Sequence, residues 1–148
     1  MRLRAGRAFV VARRNTEAVA VLAPLIGAAG EPGAEALYYT GRAQLRGGPG
    51  SSRATFQTLA QRHPGSRWAG DGLFILADLD DDAGRRAAAQ AGYRQVVARY
   101  PASPTAGLAA ARLGSAALLR GDAAAAVSVW EGFRSRVNDP ERRAASTA

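Results

Sequence analysis

The sequence predicts an all-α protein of about eight helices, arranged as hairpins that stack into a right-handed solenoid. First, 35 of the 148 residues are alanine, the best helix former, and β-branched residues are sparse. Second, aromatic residues recur at Phe56, Tyr93 and Trp130, two intervals of 37 residues. Third, prolines follow the first two of them, at Pro64 and Pro101. A fixed period of this length is typical of a helical solenoid.

The repeat also extends to the residues that follow each aromatic. An apolar residue stands three positions later and an arginine six positions later, in the sets Leu59, Val96, Phe133 and Arg62, Arg99, Arg136. We therefore expect a single domain, 1–148, with hairpins at about 1–28, 33–63, 66–100 and 103–137. Residues 138–148 would begin a further helix that is too short to cover the last hairpin, so we expect exposed apolar surface and self-association there.

The elements of the N-terminal half follow from local signals. A helix is expected within 1–13, and Asn15 is expected to cap a second helix that runs through Val19, Leu22 and Ile26. A third helix is expected over 33–45. The glycine-rich stretch 47–52 then predicts a turn before the helix that carries Phe56.

The C-terminal half carries clearer boundaries. Asp81 or Asp82 is expected to cap a helix with Ala89, Tyr93, Val96, Val97 and Tyr100 on its buried side, ended by Pro101. Ser103 or Thr105 should cap the next helix, which has a buried stripe from Ala106 to Ala117. The pair Gly121–Asp122 predicts a C-cap and an N-cap, and the last helix is expected to bury Ala126, Trp130 and Phe133.

Composition excludes several classes of chemistry. There is no cysteine and no lysine, since all 20 basic residues are arginine, so disulfides, Cys–zinc sites, Schiff bases and P-loop lysines are ruled out. The net charge is +8, but the arginines are scattered apart from a cluster at Arg2, Arg4, Arg7, Arg13 and Arg14. Without a basic stripe and aromatic platforms we expect no nucleic-acid partner. No apolar run approaches the ~20 residues that a membrane span needs. None is long enough to form the hydrophobic region of a signal peptide.

Individual polar residues do not form a catalytic or metal-binding pattern. The cluster Asp78, Asp80, Asp81 and Asp82 lacks the glycine and glutamate of a calcium loop, because those positions hold Ala83 and Ala89. The sequence shows no pattern of partner residues for acid–base or nucleophilic catalysis around the single histidine, His63, or around the carboxylates of Glu35 and Glu131. We therefore expect no catalytic residue, no cofactor and no metal site, and a protein that is not an enzyme.

Two sets of residues resemble the tetratricopeptide repeat. Leu113, Gly114, Ala126 and Trp130 match the family pattern in one hairpin, and Ala89, Tyr93 and Pro101 match it in another. The resemblance covers about 15–140 and, at the junction 100–104, looks like the bacterial envelope type. It implies that the first helix of each hairpin lines a concave groove for a protein or peptide partner. Counting by the repeat places five candidate partner-binding residues there, namely Tyr38, Arg42, Phe74, Asp78 and Ser115.

A narrower resemblance concerns the stretches 36–43, 63–66 and 139–145. They look like the non-catalytic superhelical region of soluble lytic murein transglycosylases, although the Glu-Ser motif of that family's catalytic domain does not occur here. This resemblance implies a scaffold segment, in contact with peptidoglycan through an attached catalytic domain, and a periplasmic location. The alternative is a free-standing adaptor that binds a peptide or protein, which would be cytoplasmic.

Overall fold

The computed structural model describes residues 1–139, and these contain eight α-helices and no β-strand. The helices are α1 (Arg2–Val11), α2 (Asn15–Leu22), α3 (Gly30–Leu45), α4 (Ser52–Arg62), α5 (Arg67–Asp82), α6 (Arg86–Arg99), α7 (Ala106–Leu119) and α8 (Ala123–Asn138), with a short 3-10 helix at Ala23–Leu25 after α2. The predicted all-α class and the helical-hairpin architecture are confirmed. The handedness of the superhelix stays a prediction. In the described part of the chain, no helix has the length and apolar character needed to cross a bilayer.

The chain divides into two compact units, residues 1–72 and the remainder from Leu73 onward, and the division falls within α5. In the first unit α1 packs on α2, α3 packs on α4, and α2 also packs on α3. In the second unit α6 packs on α7, and α7 packs on α8. The predicted single domain over 1–148 stays a prediction.

In the first unit, close packing within each hairpin depends on a glycine facing a large side chain. A Cβ atom added at Gly6 would overlap the Leu22 side chain, and one added at Gly41 would lie 2.7 Å from Cε1 of Phe56. Leu22 and Phe56 are both fully buried. Glycine at these two positions therefore allows α1 to approach α2 and α3 to approach α4, because any larger residue would overlap a core side chain.

The second unit has its own apolar core. It consists of Phe74, Ala77, Ala89, Tyr93, Val96, Val97, Ala106, Ala109, Ala110 and Leu113, with Phe133 partly buried against it. Gly114 of α7 lies beneath the Trp130 indole of α8, where an added Cβ would overlap the ring. The expectation that Trp130 is buried is wrong, since it is 41% exposed. Its ring covers Gly114, but the rest of it faces solvent.

The boundary between α5 and α6 differs from the prediction. Asp81 and Asp82 form the last turn of α5 and do not cap α6, whose N-cap position is Arg85 without a side-chain cap. Gly84 has a φ of +74°, so it adopts the left-handed conformation that ends α5. The helix therefore continues through both aspartates and ends just before this glycine.

Two further predicted caps are wrong in detail. Asn15 is the first residue of α2, and its Nδ2 donates a hydrogen bond to the Arg46 carbonyl oxygen at 2.7 Å. Thr105 occupies the N-cap position of α7, but its side chain accepts no hydrogen bond from the helix. Its hydroxyl pairs with that of Ser103 at 2.8 Å. At Thr105 the hydroxyl that the prediction assigned to the cap is thus paired outside the helix. At Asn15 the hydrogen bond uses Nδ2, and Oδ1, the atom that would accept at a cap, has no hydrogen-bond partner among the described residues.

The turn between α7 and α8 is confirmed as predicted. Gly121 has a φ of +77°, its N–H donates to the Leu118 carbonyl, and the Asp122 N–H donates to the Ala117 carbonyl. These two bonds form a Schellman motif. Asp122 then caps α8, since its Oδ1 accepts a hydrogen bond from the Ala125 N–H at 2.9 Å.

Candidate functional site

A groove with a volume of about 470 Å³ lies between α6 and α7 in the second unit. We call it the arginine-edged groove. It is lined by Arg86, Ala89, Gln90 and Tyr93 of α6, by Arg112, Ser115, Ala116, Leu119 and Arg120 of α7, and by Asp81 at the end of α5. On α6 these residues follow the spacing i, i+3, i+4, i+7, and those on α7 follow it with one further residue, so within each helix they share one face.

The floor and the rim of the groove differ in character. Ala89 and Tyr93 are buried in the floor, at 1% and 2% exposure. Because Ala89 and Ala116 are small, they leave room between the two helices. At the rim Arg86, Leu119 and Arg120 are exposed, and Leu119 is 90% exposed. The groove therefore combines a firm floor with cationic and aliphatic groups that are free to contact a ligand.

A charged network lies at the Tyr93 end of the groove. The Tyr93 hydroxyl donates a 2.5 Å hydrogen bond to Oδ1 of Asp78, and Nε of Arg112 lies 3.6 Å from the same oxygen. Burial of the phenol, together with the nearby Asp78 carboxylate, raises the pKa of Tyr93. The phenol thus stays protonated at neutral pH, and Asp78 balances the charge of Arg112.

The opposite end of the groove has an excess of positive charge. The side chains of Arg86 and Arg120 make no hydrogen bond or ion pair within residues 1–139, and Asp81 is the only acidic residue that lines this described groove. Arg86 begins α6, and Arg120 directly follows α7. The short connection between these helices makes them antiparallel neighbours, which brings these two ends together.

The structure places the three candidate binding residues of the second unit differently. Ser115 is exposed and lines the groove, and Asp78 contacts two groove residues, Tyr93 and Arg112. Phe74 is a core residue at 8% exposure, and its ring centroid lies 5.8 Å from that of Tyr93. Its position supports the ring that forms the groove floor.

The other two candidates, Tyr38 and Arg42, lie together in the first unit. The Arg42 guanidinium lies 5.8 Å from the centroid of the Tyr38 ring, and that ring packs 4.8 Å from the ring of Trp68. Burial raises the pKa of Tyr38. Both residues are half-buried. They form part of an arginine–aromatic cluster in which Arg67 also lies over Trp68, at 4.3 Å.

The remaining polar residues lie apart from one another. Glu35 accepts a 3.5 Å hydrogen bond from Arg7, His63 ends α4, and Glu131 is exposed on α8. Across the described residues, no group of three His, Asp or Glu side chains is placed to hold a metal ion. In the glycine-rich turn Ser51 caps α4, since its hydroxyl accepts a hydrogen bond from the Ala54 N–H.

Comparison with protein families identifies two of these hairpins. A family model described as the tetratricopeptide repeat matches 35–66, which holds most of α3 and all of α4, and 71–103, which holds most of α5 and all of α6. These two matches support a protein of the tetratricopeptide-repeat type. Comparison with curated proteins and with solved structures gave no match. The second tetratricopeptide repeat supplies one wall of the arginine-edged groove, and α7 supplies the other.

The repeats indicate a protein-interaction scaffold. The groove, however, includes residues that the sequence did not single out, namely Arg86, Gln90, Leu119 and Arg120. The spacing of Arg86, Gln90 and Tyr93 along one face of α6 was the available signal. The repeat pattern instead assigns the groove to the first helix of each hairpin, and α6 is the second helix of its hairpin.

Proposed function

We propose that the chain is a non-catalytic scaffold that binds a polypeptide partner in the arginine-edged groove. The observation that supports this is the groove itself, an open cavity of about 470 Å³ between a tetratricopeptide repeat and α7. Its floor is fixed by the buried Tyr93, whose hydroxyl is held by Asp78. A preformed floor reduces the entropy that is lost when a flexible ligand binds.

The size and chemistry of the groove suit a short stretch of polypeptide. From Arg86 to Tyr93 the wall spans seven residues of helix, or roughly 10 Å, which matches about three residues of extended chain. Gln90 and Ser115 lie between the two ends and offer side-chain hydrogen bonds to a main chain. Ala116 and Leu119 offer apolar contact to a side chain.

A peptide-display screen on the immobilised chain tests this proposal, with affinities then measured by fluorescence anisotropy. Ala116→Trp fills the groove, and we expect it to abolish binding of the selected peptides. Ala111→Trp is the matched control, because Ala111 is exposed on the same helix and does not line the groove. Equal binding by the two variants, or a screen that selects no peptide, would contradict the proposal.

A second candidate is the scaffold segment of a soluble lytic murein transglycosylase, with a periplasmic location. It is supported by the resemblance of the stretches 36–43 and 63–66 to that family. Sequencing the source locus tests it, since a reading frame that continues into a lysozyme-like region with a Glu-Ser motif would support it. The chain alone, incubated with purified peptidoglycan, is expected to release no muropeptides. Released muropeptides would show that this chain is itself an enzyme.

A further inference from the structure

We infer that the arginine-edged groove selects an acidic peptide segment, in which a side-chain carboxylate stands next to an aliphatic side chain. This inference rests on the proposed peptide-binding function and specifies its ligand. It follows from the excess of positive charge at one end of the groove and from the exposed leucine that lies there.

The charges that line the groove are unequal. Three guanidinium groups, those of Arg86, Arg112 and Arg120, face the single lining carboxylate of Asp81. Arg112 is offset by Asp78, whose oxygen lies 3.6 Å from its Nε. The excess therefore lies with Arg86 and Arg120, whose guanidinium groups have no hydrogen-bond or ion-pair partner within residues 1–139. A carboxylate accepts paired N–H donors from a guanidinium, so an acidic side chain is the complementary group.

The apolar part of the ligand is indicated by Leu119. This side chain is 90% exposed and stands in sequence directly before Arg120. An aliphatic side chain that covers Leu119 and Ala116 would remove apolar surface from water and would also lower the local dielectric around the two guanidinium groups. Both effects strengthen the binding of a carboxylate at this end.

The test uses the full chain and a fluorescein-labelled peptide of alternating glutamate and leucine, acetylated at its N-terminus and amidated at its C-terminus. Anisotropy titrations compare it with the glutamine–leucine and lysine–leucine peptides of equal length. We expect binding of the glutamate peptide alone, weakened by about tenfold in Arg86→Gln and in Arg120→Gln. Leu119→Ser should weaken it as well, and added salt should reduce the arginine-dependent part.

Arg134→Gln is the matched control, because Arg134 is exposed on α8 and lies outside the groove. We expect it to bind the glutamate peptide as the native chain does, and circular dichroism verifies that every variant is folded. Equal losses in Arg134→Gln and Arg86→Gln would overturn the inference, because they would indicate general attraction to a chain of net charge +8. Binding that requires a free C-terminal carboxylate would overturn it too.

The inference and the proposed function fail in different ways. Neutral or basic peptides that emerge from the display screen and are blocked by Ala116→Trp would uphold the scaffold function and overturn the acidic selectivity. Absence of any peptide ligand in both experiments would overturn both proposals. Binding of the glutamate peptide with loss in Arg86→Gln and in Ala116→Trp, but not in Arg134→Gln, would support both.

Discussion

Tyr93 and Asp78 are joined by a 2.5 Å hydrogen bond, in which a phenol that is only 2% exposed donates to a carboxylate. The bond connects α6 to α5 within the second unit and fixes the ring that forms the groove floor. A hydrogen bond to a charged partner contributes about 1.5–3 kcal/mol. This contact is therefore the strongest single polar link that we identify beneath the groove.

Removing the Tyr93 hydroxyl should measurably destabilise the fold. In Tyr93→Phe the Asp78 carboxylate loses its donor, so we expect the free energy of unfolding to fall by about 1–3 kcal/mol in chemical denaturation. Tyr39→Phe is the control, because the Tyr39 hydroxyl makes no hydrogen bond within residues 1–139, and it should change stability little. Equal changes in the free energy of unfolding for the two substitutions would show that the hydrogen bond to Asp78 does not stabilise the fold.

The same residue predicts a loss of stability at alkaline pH. Folding raises the pKa of Tyr93, through burial first and the Asp78 hydrogen bond second, so the folded state holds the phenol proton more tightly than the unfolded state. Its contribution is complete below about pH 10, the ordinary tyrosine pKa, and is lost as the pH rises through the folded-state pKa. Burial of Tyr38 and Tyr100 acts in the same direction.

Thermal unfolding followed from neutral to strongly alkaline pH measures this effect. The Tm of the native chain should fall above about pH 10, and the fall should be shallower in Tyr93→Phe, while the two remaining buried tyrosines retain part of the slope. Parallel curves for the native chain and Tyr93→Phe would be inconsistent with a raised pKa at this position.

Gly41→Ala should destabilise the first unit although alanine favours helices. The new Cβ would lie 2.7 Å from Cε1 of Phe56, which is fully buried. Overpacking of this kind costs about 1–3 kcal/mol, against a gain in helix propensity of about 1 kcal/mol. Gly132→Ala is the matched control, since its nearest neighbour is the flexible end of Arg136 at 3.6 Å, and it should be neutral or stabilising.

Gly114→Leu should act differently, because the overlapping group is on the surface. The Trp130 ring is 41% exposed, so a side chain at Gly114 can push it outward into solvent. We expect a loss of about 1–3 kcal/mol together with a red shift in the emission of Trp130, obtained by subtracting the spectrum of Trp130→Phe. An unchanged Tm would contradict the contact between Gly114 and Trp130.

The hairpins were predictable because their signals are local or periodic. Gly121 and Asp122 define the α7–α8 turn with groups that lie within a few residues of one another, and the interval of 37 residues places Phe56, Tyr93 and Trp130 on corresponding helices. That Asp81 and Asn15 lie inside helices and do not cap them was not predictable in this way. Asp81 suits either the end of one helix or the start of the next, and the backbone conformation of Gly84 decides between them.

The groove was only partly predictable, because it depends on which faces of two helices meet. The repeat pattern indicated Ser115 and Asp78, which are at or beside the groove, and Phe74, which is in the core. Arg86 and Arg120 are ordinary solvated arginines by sequence. They line one groove only because the start of α6 lies against the end of α7. Periodicity alone does not specify this tertiary contact.

The pairing of each glycine with a large side chain has a consequence for folding kinetics. Gly6 meets Leu22, Gly41 meets Phe56 and Gly114 meets Trp130, separations of 16, 15 and 16 residues along the chain. Contacts between residues so near in sequence require closure of only a short loop, and helical proteins rich in them fold in microseconds to milliseconds. We therefore expect each of these three hairpins to close from its own turn early in folding.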